Sequence, residues 1–68
     1  MKNKIKVHRA VHSLTQAELA ERSKVSRQTI NAMELGKYVP STVLALRLSE
    51  IFGIPVNALF ELEPEDWK

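Results

Sequence analysis

The sequence predicts an all-α fold, a compact five-helix bundle of short helices. Three observations predict it. Apolar residues recur at helical spacing, and strand patterning is absent because β-branched residues occur singly or at most in pairs. Helix-starting Thr15, Ser26 and Ser41 and helix-stopping Gly36 and Gly53 punctuate the chain at short intervals. With 68 residues and no cysteine there is room for one small core and no disulfide or thiolate-metal staple, which favours helices packed through local contacts.

In chain order, Asn3 caps a first helix running to about His12, with Ile5, His8, Arg9 and Val11 expected to face inward. Thr15-Gln16-Ala17-Glu18 is a capping box opening a second helix, Gln16 to about Ser23, with Leu19 and Ala20 inward. Ser26 caps a third helix from Arg27 to Leu35, ended by Gly36. Only Lys24 and Val25 separate Ser23 from Ser26, so these two helices must cross steeply. Pro40-Ser41 starts a fourth helix to Phe52, with Leu44, Leu48, Ile51 and Phe52 as its apolar stripe and Gly53 as its stop. Pro55 suits the first turn of a fifth helix reaching about Leu62. The whole chain, 1–68, reads as a single domain, and its tail, 63–68, is expected to fray.

Composition narrows the function. The net charge of +2 decides nothing, but residues 1–38 carry net +5 and residues 39–68 net −3, a basic front that suits a polyanion and an acidic back. The longest apolar run, Val43 to Leu46, is far too short to span a membrane, and no signal-peptide core follows the N-terminal lysines, so the expected location is cytoplasmic. No cysteine nucleophile and no glycine-rich phosphate loop is present, so no catalytic residue is assigned. Glu61, Glu63, Glu65 and Asp66 read as a solvated acidic run. His8 and His12 stand four apart on one helix face, which is metal-ligand spacing. Two ligands do not make a zinc site, so no metal or other cofactor is expected. His8 at the core edge and His12 at a helix C-terminus account for both.

On a wheel of 100° per residue, the third helix puts Ile30, Met33 and Glu34 on one side and Gln28, Asn31, Ala32 and Leu35 on the other, with Arg27 at the edge. A merely solvated face would carry Glu and Lys. This one carries an arginine, two amides and a small residue that allows close approach. Arginine can chelate guanine, Gln or Asn can chelate adenine, and Ala can touch a thymine methyl. In the window 16–35, Leu19, Ala20, Val25, Ile30 and Met33 hold the places where two crossing helices bury side chains, and Ala20 is small where they come closest.

Leu14-Thr15-Gln16-Ala17-Glu18-Leu19-Ala20, then Val25-Ser26-Arg27-Gln28-Thr29-Ile30-Asn31, then Glu34-Leu35-Gly36-Lys37 resemble the Cro/phage-repressor (XRE) helix-turn-helix family. The likeness continues through Pro40-Ser41 and Phe52-Gly53 to Leu59-Phe60, covering about residues 4–62. It implies a lambda-repressor-like bundle that binds the major groove of double-stranded operator DNA, usually as a two-fold homodimer. It also implies roles by position. Arg27, Gln28, Asn31 and Ala32 would face bases. Gln16, Ser26, Thr29, Lys37 and Tyr38 would serve the DNA backbone, with Gln16 also bracing Gln28. Arg9 and Glu34 would form a largely buried ion pair tying the first helix to the third. For the dimer contact, the fifth helix and tail offer Leu59, Phe60, Leu62 and Trp67. Three positions depart from the family pattern: Lys24 and Ser13 stand where Gly is common, and His8 where Leu is usual. The implied function is an autonomous repressor. The alternative is a protein-interaction module, such as an antitoxin or adaptor, which would need no Arg27/Gln28 pair.

Overall fold

The computed structural model describes residues 1–68. Five α-helices follow in order: α1 Ile5–Val11, α2 Gln16–Ser23, α3 Arg27–Glu34, α4 Thr42–Phe52 and α5 Val56–Leu59. Two short strands, β1 Lys2–Asn3 and β2 Phe60–Glu61, pair antiparallel, with Lys2 opposite Glu61 and Asn3 opposite Phe60. A 3-10 turn, Pro64–Trp67, closes the chain.

The helix starts follow from side-chain capping. Thr15 accepts from the Glu18 amide at 3.0 Å while the Glu18 carboxylate accepts from the Thr15 amide at 2.9 Å, completing the capping box. Ser26 accepts from the Thr29 amide at 3.1 Å and Ser41 from the Leu44 amide at 3.2 Å. Asn3 acts one residue earlier than a standard cap. Its Oδ1 accepts from the Ile5 amide at 3.2 Å, while Lys4 occupies the cap position.

Four helices end in the same way. Ser13, Lys24, Gly36 and Gly53 all have positive φ, at 55°, 63°, 73° and 67°. At each, the residue's own amide and the next one turn back onto the last carbonyls of the helix: Lys24 to Glu21 and Val25 to Ala20, Gly36 to Met33 and Lys37 to Ala32. Glycine takes this conformation freely at two of the sites. At Ser13 and Lys24 a side chain bears the left-handed cost, roughly 1–2 kcal/mol each.

The core is one cluster of eleven side chains: Ile5, Leu14, Leu19, Ala20, Ile30, Met33, Leu44, Leu48, Phe52, Leu59 and Phe60. Every helix contributes, so no pair of helices could hold its shape alone. Ser23 is the one buried polar residue, and its hydroxyl donates to the Leu19 carbonyl at 2.7 Å. No helix is long and apolar enough to cross a membrane.

Four expectations need correction. The helical pattern after Pro55 does not reach Leu62. It stops at Leu59, because Phe60 turns extended to pair with Asn3 and bury its ring. Strands therefore exist, but at two residues each they are too short to show alternation. The tail is not frayed at 63–67: the Glu63 amide donates to Asp66 at 2.7 Å, and the Met1 ammonium lies 3.0 Å from Glu63 and 3.2 Å from Asp66. Val11 points outward and is exposed. His8 and His12 both lie against Phe52, with ring centroids 5.7 and 5.5 Å away, which explains an imidazole where a leucine would otherwise sit. No group of three or more His, Cys, Asp or Glu side chains converges for a metal.

Candidate nucleic-acid interface

The geometry of α3 begins with what it buries. Ile30 is 0% exposed and Met33 1%, so one side of the helix is sealed against the core. Arg27, Gln28 and Asn31 are exposed and Ala32 is half-buried. The helix thus projects an arginine and two amides into solvent, and its axis is set by the buried side.

Several contacts hold it there. The Ser26 and Thr29 hydroxyls lie 3.0 Å apart at its N-terminus. The Arg47 guanidinium of α4 donates to the Ser23 carbonyl at 3.3 Å, tying the turn between α2 and α3 to the helix behind it. Asn3 Nδ2 donates to the Met33 carbonyl at 2.7 Å, so β1 grips the far end of α3. Sequence reasoning does not single out Arg47, and it places Asn3 only as a helix cap, missing its contact with Met33. Neither lies in the helix-turn-helix window, and no local pattern signals a side chain reaching a distant carbonyl.

Arg9 and Glu34 meet face to face. Arg9 Nε donates to Glu34 Oε2 at 2.6 Å and Nη2 to Oε1 at 3.1 Å, a bidentate fork, while Nη1 donates to the Leu14 carbonyl at 3.0 Å. The two side chains are 16% and 8% exposed. Burial pushes the Glu34 carboxyl pKa upward, but the hydrogen bonds from Arg9 and Gln16 and the charges of Arg9 and Lys6 outweigh it and hold it below its ordinary value. Glu34 is therefore a carboxylate at neutral pH.

Gln16 joins this network from the start of α2. Its Nε2 donates to Glu34 Oε1 and to Asn31 Oδ1, both at 3.1 Å. The resemblance implies that Gln16 braces Gln28. In the structure its amide braces Asn31 instead, one turn further along α3. Gln28 and Asn31 are neighbours on the same helix face, so sequence spacing does not distinguish the two partners. Lys37 is exposed just beyond α3 and Tyr38 is 46% exposed beside it.

The proposed dimer contacts divide. Leu59 and Phe60 are 1% and 8% exposed and belong to the core, so they offer no face to a second copy. Their apolar character serves the fold. Leu62 and Trp67, 55% and 77% exposed, are free to contact another molecule.

Two short helices joined by a tight left-handed turn, with a polar outward face on the second, define a helix-turn-helix protein. A helix-turn-helix family model (HTH_3) matches residues 8–59. Similar proteins include an uncharacterised HTH-type transcriptional regulator of Methanocaldococcus jannaschii, 48% identical over 66 residues that cover 97% of this chain and 100% of that one. Another, from Bacillus subtilis, is 44% identical over 66 residues, again 97% of this chain and 100% of the relative. A third, from Archaeoglobus fulgidus, is 39% identical over 66 residues, 97% of this chain and 93% of the relative. The chain belongs to the XRE/Cro-type helix-turn-helix family of DNA-binding transcriptional regulators, which are not enzymes.

Proposed function

We propose that this regulator is a repressor that occupies a pseudo-palindromic operator as a homodimer in the cytoplasm. Arg27, Gln28, Asn31 and Ala32 read bases in the major groove, and Ser26, Thr29, Lys37 and Tyr38 hold the phosphate backbone together with Gln16, whose main-chain amide at the start of α2 is the donor because its side-chain amide is taken up by Glu34 and Asn31. The observation that carries the reading is the division of α3: Ile30 and Met33 are sealed at 0% and 1% exposure while Arg27, Gln28 and Asn31 stand in solvent. An exposed arginine and amides on a rigidly seated helix match the hydrogen-bonding edges of purines. One such helix reads only a few base pairs, too few for selectivity in a genome, so two copies related by a two-fold axis about 34 Å apart are required. Leu62 and Trp67 are the remaining contacts for that second copy.

The test is selection of bound sequences from random DNA, followed by binding of Arg27→Ala and Gln28→Ala. Each should lose about 1–3 kcal/mol on the selected operator and little on DNA already mismatched at the base it reads. Sedimentation should give two protomers per duplex. An operator preference unchanged by both substitutions would refute the third helix as reader and favour a protein-interaction module.

A further inference from the structure

We infer that a second copy of this chain docks on the apolar groove beside the start of α4 and α5, so that this groove, and not the tail, is the centre of the two-fold contact. This rests on the proposed homodimer and adds the surface that makes it.

Met1, Val39, Pro40, Leu46 and Val56 line the groove, with the ring of Phe60 as its floor. Met1 and Val56 also pack against the core, so the groove opens directly onto it. Val39 is 61% exposed and Leu46 54%. The groove adjoins a helix that is apolar on two sides. Leu44, Leu48 and Phe52 of α4 are buried, yet Val43 and Leu46 stand in solvent on its other side. That helix has no lysine, its only acid is Glu50, and its arginine, Arg47, is engaged with the Ser23 carbonyl. A surface helix normally presents charges outward, whereas one apolar all round is built to be covered.

Charge argues that the cover is a second copy. A two-fold contact sets a surface on itself, so a charge near the axis meets its own twin. No charged side chain lines this groove. The other exposed apolar sites lack that property. Val7 and Val11 are neighbours of Lys4 on α1, and Leu62 and Trp67 stand among Glu61, Glu63, Glu65 and Asp66. Either site centred on a two-fold would bring like charges together. Placement argues the same way. Val39 directly follows Lys37 and Tyr38, the loop proposed to hold phosphate, so a contact here sets two α3 helices side by side toward one duplex. The molecule measures 34 × 23 × 20 Å. Copies in lateral contact therefore carry equivalent helices apart on the scale of one DNA turn, about 34 Å. A standard contact buries about 800 Å² on each partner, about a sixth of the 4762 Å² surface here. It must take in the groove together with the outward side of α4.

The experiment uses the full chain, free and on the operator obtained by random selection, with association read by sedimentation over a range of concentrations. Leu46→Glu and Val39→Glu each place a carboxylate in the groove of both copies. Each should weaken self-association by roughly tenfold or more, because a two-fold contact carries the change twice. Both positions are exposed, and thermal melts should show each variant folded. Leu46→Lys alone should also be weakened. An equal mixture of Leu46→Glu and Leu46→Lys chains should recover association, because opposite charges then share the groove, and a variant that had merely lost its fold would not recover. Val11→Glu, on α1, should leave association unchanged. Self-association undiminished in both Leu46→Glu and Val39→Glu would overturn the inference. So would its loss in Trp67→Ala alone, which would move the contact to the tail. A chain that stays a single protomer both free and on its operator would overturn it together with the homodimer, and would leave the groove to a different protein. If Arg27→Ala and Gln28→Ala still relax the operator in any of these cases, the reading of DNA by α3 survives. If two protomers still occupy each duplex, the homodimer survives as well and only its surface is reassigned.

Discussion

Glu34→Ala removes the one carboxylate that receives hydrogen bonds from three nitrogens, and its cost can be worked from the structure. Arg9 keeps its bond to the Leu14 carbonyl at 3.0 Å, but Nε and Nη2 lose their partners, and Gln16 Nε2 loses one of its two. The Arg9 side chain is only 16% exposed, so water restores little of this. Breaking one partner of a buried pair costs about 3–5 kcal/mol, and the surviving Leu14 bond places this case near the lower end. For a domain of this size each kcal/mol moves the melting temperature by about 4–8 °C, so a fall of roughly 12–24 °C is expected. Glu21→Ala, on the exposed side of α2, removes a solvated charge and should change stability by under about 0.5 kcal/mol. A control separates charge burial from packing. Arg9→Met combined with Glu34→Leu removes both charges together and should recover most of the loss, because no ion is left unpaired. The pair also predicts a pH dependence. The Glu34 pKa is depressed in the folded state, so its contribution is fully present above the unfolded value of about 4.3 and is lost as pH falls through the lower folded value. The acid limb of the stability curve should flatten in the double variant. Thermal melts of the four proteins between neutral and acid pH make the measurement. Coincident melts for Glu34→Ala and Glu21→Ala would refute the claim that this pair is held out of water.

Two further outcomes follow from the turns and the loop. Lys24→Gly should raise the melting temperature, because glycine takes the left-handed geometry at φ 63° without its steric cost and keeps both backbone bonds of the turn. After the greater freedom of glycine in the unfolded chain is subtracted, the gain is about 0.5–1 kcal/mol, and a lowered melting temperature would contradict it. Lys37→Ala should weaken binding to operator and scrambled DNA alike and reduce the salt dependence by about one unit, read from binding curves at several salt concentrations. A loss confined to the operator would make Lys37 a base reader.

Legibility in the sequence tracks how local each signal is. The starts of α2, α3 and α4 were readable because Thr15, Ser26 and Ser41 cap amides only three residues away. The ends at Gly36 and Gly53 were readable for the same reason. So was the burial of Ile30 and Met33 against the exposure of Gln28 and Asn31, since helical period alone separates them. The pairing of β1 with β2 joins opposite ends of the chain, and neither two-residue strand carries a pattern. Extending α5 to Leu62 was the consequence, because Leu59, Phe60 and Leu62 look alike until a partner strand draws Phe60 into the core. The same blindness to distance hid the grip of Asn3 on Met33 and of Arg47 on Ser23. In the candidate interface the outward face of α3 was legible, but the choice of Asn31 over Gln28 as the partner of Gln16 was not. It depends on the crossing of two helices, which sequence constrains only to be steep.

The stability of this protein and the chemistry of its outward face share a single set of atoms. Glu34 stands between them: its carboxylate neutralises Arg9 on the core side and orients Gln16, and through it Asn31, on the solvent side. A neutral residue at position 34 could be accommodated by a repacked core, but it would leave the Gln16 amide free to turn either way. A glutamine there would present one acceptor and one donor where the geometry asks for two acceptors, because Arg9 approaches both oxygens. The buried ion pair is thus a poor route to stability, given what desolvation costs, and a direct route to polarity. An ionised carboxylate is the one side chain here that admits no alternative direction for the hydrogens facing it. Arg47 and Asn3 act on position in the same manner, one fixing the turn before α3 and the other the last turn of the helix. The helix proposed to face DNA is therefore anchored at its start, its middle and its end by groups that do not themselves lie on its outward face.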